Sequence, residues 1–82
     1  MRYLLITFLK KPDNRIDEQV EVSDKVKNRD LQTCNIIMDF KEKKIQKCVI
    51  DGKSLETDWD KSMAYYNQIY PEVIEELLEA NK

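Results

Sequence analysis

The segment Tyr3-Leu4-Leu5-Ile6-Thr7-Phe8-Leu9-Lys10 constrains this chain more than any other. It is rich in aliphatic and aromatic residues with no helical spacing, and it reads as a β-strand. Successive strand side chains point to opposite faces. Leu4, Ile6 and Phe8 therefore lie on one face and Tyr3, Leu5 and Leu9 on the other. Both faces are apolar. At the edge of a four-strand meander such a strand leaves one face wet, so it belongs inside a sheet or under a cover. Either this strand is interior, or a second subunit covers the exposed side.

The next segments continue the two-residue period. Pro12-Asp13-Asn14 is a turn signal, and Ile16 to Val22 alternates, with Ile16, Val20 and Val22 opposite Asp17, Gln19 and Glu21. Ser23 to Asp30 is polar and fits a loop, a helical turn or a strand extension, with Asn28-Arg29-Asp30 as the best turn point. Cys34, Ile36, Met38 and Phe40 then alternate with Asn35, Ile37 and Asp39. Lys41 to Lys44 is a solvated turn, Ile45 to Ile50 returns as a strand, and Asp51-Gly52 is a strong turn dipeptide. A helix from Cys34 to Cys48 is the competing assignment. From Thr57 the period lengthens. Trp59, Met63, Tyr66, Tyr70, Val73 and Leu77 step by three or four, an amphipathic helical stripe with Thr57 as N-cap. Pro71 interrupts it, as a kink or as the first residue of a second helix. Glu72, Glu75, Glu76 and Glu79 suit the start of a new helix better than the end of a long one. The expected fold is α+β: antiparallel strands near 3–10, 16–22, 33–40 and 45–50, as two hairpins, then one kinked or two short helices over 58–80.

With 82 residues the chain fits a single domain, 1–82. Net charge is −2, but residues 1–53 carry +3 and residues 54–82 carry −5. The apolar start is short, runs into Lys10-Lys11 and lacks a small-residue cleavage site, unlike a secretory signal. Two cysteines without a disulfide framework fit a reducing compartment, so a cytoplasmic location is expected. If Phe40 and Ile45 flank the turn, Ile37 faces Cys48 and Cys34 faces Asp51. The cysteines then lie on opposite faces and stay free thiols.

The chain has no histidine and one glycine. Histidine is the commonest general base and metal ligand, and phosphate loops need several glycines. Neither a catalytic motif, a cofactor nor a metal site is expected, and Asp51-Gly52 with Glu56 lacks the remaining acids of a calcium loop. Lys10-Lys11 with Arg15, Lys25-Lys27-Arg29 and Lys41-Lys43-Lys44 place basic residues at turns, but acids interleave and the pI is about 5.1, whereas basic nucleic-acid modules usually exceed about 9.

Arg2-Tyr3-Leu4-Leu5-Ile6-Thr7-Phe8, Asn35-Ile36-Ile37-Met38-Asp39-Phe40 with Lys47-Cys48, and Asp58-Trp59 with Tyr65-Tyr66 and Tyr70-Pro71 together span most of the chain. In these stretches the sequence resembles small uncharacterised proteins of tailed phages of marine cyanobacteria. The resemblance implies a protein acting inside an infected cell and carries over no site residue. The reading that follows is a non-enzymatic protein-interaction module, self-associating or binding host machinery. Its interface candidates are Tyr3, Leu5 and Leu9 on the second sheet face, and the acidic set Glu72, Glu75, Glu76 and Glu79. A small RNA-binding regulator using basic hairpin tips is the first alternative, and a small ligand-binding protein or enzyme the second.

Overall fold

The computed structural model describes Met1–Lys82. Its elements run β1 (Tyr3–Lys10), β2 (Ile16–Ser23), α1 (Asn28–Thr33), β3 (Ile36–Asp39), β4 (Lys44–Ile50), β5 (Lys53–Ser54), α2 (Trp59–Ile69) and α3 (Pro71–Ala80). The α+β class matches expectation, but the sheet has five strands rather than four, all antiparallel, in the order β2-β1-β3-β4-β5. β1 is interior, paired along its whole length with β2 and over Tyr3–Ile6 with β3. Its two apolar faces are explained by that position.

α2 and α3 cover one face of the sheet. Leu4, Ile6, Ile36, Met38, Phe40, Cys48, Tyr66, Ile74 and Leu77 form the main core, flanked by half-buried Trp59, Met63, Tyr70 and Val73. Each fully buried aliphatic or aromatic side chain contributes about 1.5–3 kcal/mol, and Trp59 meets Phe40 edge-on at 4.9 Å. The helical stripe thus faces the sheet as expected, with Ile74 in addition. Two helices form, not one kinked one. Tyr70 separates them, and Pro71 occupies the first turn of α3, where its missing N–H costs nothing. The cap of α2 is Asp58 rather than Thr57: its carboxylate accepts the Lys61 N–H at 2.6 Å.

The opposite face is closed by the chain itself. Leu5, Ile37 and Cys34 form a second small cluster, with Tyr3 and Val26 packed against it. The cover comes from the segment leading into α1, a helix where a turn and the start of a strand were expected. The Asp30 carboxylate accepts the Lys27 N–H at 3.0 Å, fixing the first turn, and the Lys47 ammonium donates to the Leu31 carbonyl at 2.5 Å, at the helix's negative end. The third strand therefore spans only Ile36–Asp39, and Cys34 caps α1 instead of belonging to the alternation.

The β3–β4 register also departs from the regular hairpin. Ile36 faces Cys48 and Ile37 faces Lys47, but Met38 faces Ile45 and Asp39 faces Lys44. Gln46 is the extra residue of a bulge. The slip lets Ile45 and Cys48, three residues apart, both face the helices. Cys48 is thus in the main core rather than opposite it. The cysteines still lie on opposite faces, both free and buried. The Gln46 side chain donates to Asp39 at 3.2 Å. Asp39, fully buried, also takes the Arg2 guanidinium on both oxygens, at 2.9 and 2.8 Å, and the Lys41 and Glu42 N–H groups. These bonds, led by Arg2, pull its carboxyl down to about 2.

Candidate functional site

The two predicted interface sets lie apart. Leu5 is 2% exposed and enclosed by its own chain, which removes it as a contact residue. Tyr3 is half-buried, with the Arg2 guanidinium 5.0 Å above its ring. Leu9 is exposed at the end of β1. Glu72, Glu75, Glu76 and Glu79 line the solvent side of α3 beside Met1, where Glu79 pairs with Lys82 at 3.2 Å. The second apolar face no longer requires a partner, because Val26, on the segment leading into α1, and Cys34, just after α1, close over Leu5 and Ile37.

Apolar surface is instead left at the other end of the helix-bearing face. Asn81 of the α3 terminus donates to the Met1 carbonyl at 2.7 Å, which ties α3 to the start of β1. The helices stop short of the opposite end of the strands. There, two adjoining recesses of about 380 and 530 Å³ share Phe8, Glu18 and Ile50. The first runs under Leu55 and along Tyr65 and Tyr66 of α2 to the Ile36–Cys48 pair; the second reaches Ile16 and the Asp51-Gly52 turn. Ile16 is 64% and Tyr65 53% exposed, and Leu55 and Ile50 add to the patch.

Asn35 fixes the floor of this site where β3 has not yet begun. Its backbone N–H donates to Ile6 and its carbonyl accepts from Val49, both at 2.8 Å. Its side-chain oxygen accepts the Phe8 N–H at 2.9 Å, and its amide donates to the Val49 carbonyl at 3.0 Å. One residue thus joins β1 to β4 in place of a strand and sets the spacing of Phe8 and Ile50. The turn beyond it needs Asp51 and Gly52 in the left-handed region, at φ of 52° and 75°, which Asp tolerates and Gly adopts freely.

The charges of the site centre on Glu18, which stands opposite Phe8 across the β1–β2 ladder. The Tyr70 hydroxyl donates to it at 2.8 Å. Burial, and then this hydrogen bond, push the Tyr70 phenol up. Burial first and the Glu18 charge second push Tyr66 well above the ordinary phenol range. Burial likewise raises the Cys48 thiol, so it sits in the groove floor as a protonated apolar group rather than a nucleophile. The site offers apolar surface, aromatic side chains and a carboxylate hydrogen-bonded to a phenol.

Sequence reading missed this site, although one signal for it was present. In the alternation Ile16-x-Glu18-x-Val20-x-Val22, Glu18 is the lone charge on the apolar face of β2. The Tyr65-Tyr66 pair gave a second, since only Tyr66 falls on the core stripe and Tyr65 is left over at the rim. No helix is long and apolar enough to cross a membrane. No protein-family model, curated protein or solved structure matches the chain.

Proposed function

We propose that this protein is a non-enzymatic binding module that engages a protein partner through the uncovered end of its helix-bearing sheet face. One observation carries the reading: Phe8, Ile16, Ile50, Leu55 and Tyr65 form a contiguous apolar surface beside two recesses. Exposed patches of this kind, rimmed by polar groups, mark interaction sites. Asn35 supports the reading by fixing the floor through its own bonds, so the surface is held ready before anything binds. The resemblance to phage proteins adds a context by analogy, a host protein in the cytoplasm of an infected cell. The acidic face of α3 contributes steering toward a basic partner rather than the contact itself.

The test compares the chain with its Ile50→Glu variant, a substitution at a partly exposed strand end. Both are used as bait in host lysate, and both are sedimented at micromolar concentration. The reading expects a defined partner retained by the wild type, lost by Ile50→Glu, and a monomer of 9.8 kDa in the absence of that partner. A dimer dispersed by Ile50→Glu makes the occupant a second copy of the chain. A partner held equally by both proteins sets the reading aside.

A further inference from the structure

We propose that this site, read as a protein-binding surface, receives a cationic side chain of the partner, a lysine or arginine flanked by apolar residues. The cation would lie against the exposed Tyr65 ring, within the recess that Tyr66 also lines, with Glu18 as its counter-charge. Three features of the groove carry the proposal.

The first is shape. The Tyr65 and Tyr66 rings meet edge to face, at 89° with centroids 5.0 Å apart. Tyr66 is stacked on Tyr70 and almost fully buried, so the half-exposed Tyr65 ring is held upright at the rim and is the aromatic surface that borders the recess. Aromatic faces attract ammonium and guanidinium groups through the negative potential of the ring. The second is charge. Glu18 lies on the apolar face of β2, takes a hydrogen bond from Tyr70, and forms no ion pair with any lysine or arginine of the chain. Glu18 and Glu56 line the recess against the single cation Lys61, which leaves its lining with a net charge of −1. The third is an open hydrogen-bonding group. Tyr66 is 4% exposed, its hydroxyl has no partner in the protein, and no fully buried polar side-chain atom is left unpaired. The hydroxyl oxygen therefore reaches accessible space and, on a residue that lines the recess, offers an acceptor to an N–H donor.

The recess is open along its length and continues past Phe8 and Ile50 into the second one. An isolated small cation would leave that apolar continuation unfilled, whereas a basic residue with aliphatic neighbours covers both. Charge and shape complementarity therefore favour a protein segment.

The experiment is an NMR titration of the full chain with the peptides Ac-Leu-Arg-Leu-NH₂, Ac-Leu-Lys-Leu-NH₂ and Ac-Leu-Nle-Leu-NH₂, the last of nearly equal length and uncharged. The proposal expects shifts at Phe8, Tyr65 and Tyr66, with the better basic peptide bound about fivefold or more tightly than the norleucine peptide. Glu18→Gln keeps an oxygen for the Tyr70 hydroxyl and should erase that preference without altering the rest of the spectrum. Tyr65→Ala, at an exposed position, should weaken the basic peptides. Equal binding of all three peptides, no binding up to about 10 mM, which corresponds to under about 3 kcal/mol, or a preference that survives Glu18→Gln overturns the inference. Partner capture that is sensitive to Ile50→Glu but indifferent to Glu18→Gln would leave the binding surface standing while the cation site fell.

Discussion

Removing the Asp39 carboxylate charge, as in Asp39→Asn, should turn an acid-sensitive protein into a less stable and less acid-sensitive one. Asp39 is fully buried in the β3–β4 hairpin, and its main partner Arg2 lies 37 residues earlier, just before β1. Its carboxyl lies at about 2 instead of 3.8, chiefly through the Arg2 hydrogen bonds and then the Glu42 and Lys41 N–H groups, against the opposing effect of burial. Such a lowering corresponds to about 2 kcal/mol of preference for the folded state. The sign follows from which state binds protons more tightly. The folded carboxyl is the stronger acid, so its stabilisation is complete above the unfolded value near 3.8 and is lost as pH falls toward 2. Asp39→Asn also turns an amide N–H₂ toward donors. It should cost about 2–4 kcal/mol at pH 7, below the upper range for breaking a buried pair because Arg2 is a third exposed and can turn to water. Urea unfolding followed by Trp59 fluorescence, at pH 7, 4 and 2.5, measures this. The gap between wild type and variant should shrink by about 1.5 kcal/mol between pH 7 and 2.5, since pH 2.5 still lies above the folded value. A gap of constant size over that range would refute the assignment of Asp39 as the acid-labile tie.

Asn35→Ala strands the Phe8 N–H and the Val49 carbonyl and should cost about 2–3 kcal/mol in the same unfolding assay; a near-neutral result would mean that water replaces both bonds. Trp59→Ala should cost about 2–3 kcal/mol, less than the roughly 3–5 of a fully buried ring, because Trp59 is half-buried against Phe40. Alkylation without reductant should label neither buried cysteine quickly in the native protein and both once it is unfolded; an intact mass short of two hydrogens, with no label, would contradict the placement of Cys34 and Cys48 on opposite faces.

Much of the architecture was legible because it rests on period. The alternation in β2 and the three-and-four spacing from Trp59 to Leu77 each follow from one face being buried, and β1 reads as a strand from an apolar run without helical spacing. Strand order was legible only as a choice, since Leu5 and Leu4 together demand an interior strand or a covering partner, and no local pattern says which. The β3–β4 register was not legible. Nothing in Ile45-Gln46-Lys47-Cys48 announces a bulge, and the slip is imposed by burial of both Ile45 and Cys48 with Gln46 drawn to Asp39. α1 was hidden because its stabilisation lies in contacts far along the chain, Lys47 on the Leu31 carbonyl and Cys34 against Leu5. The site depends on where the helices end over the sheet, a tertiary quantity that Glu18 and Tyr65 hint at only once β2 and α2 are placed.

Hydrogen–deuterium exchange of the chain alone and bound to its captured partner tests the central proposal most directly. Amide protection on binding should rise around Phe8–Lys10, Ile50–Leu55 and Tyr65–Tyr66, the segments bordering the uncovered end. Protection confined to α1, or to the acidic face carrying Glu72, Glu75, Glu76 and Glu79, with none at Ile50–Leu55, would contradict it.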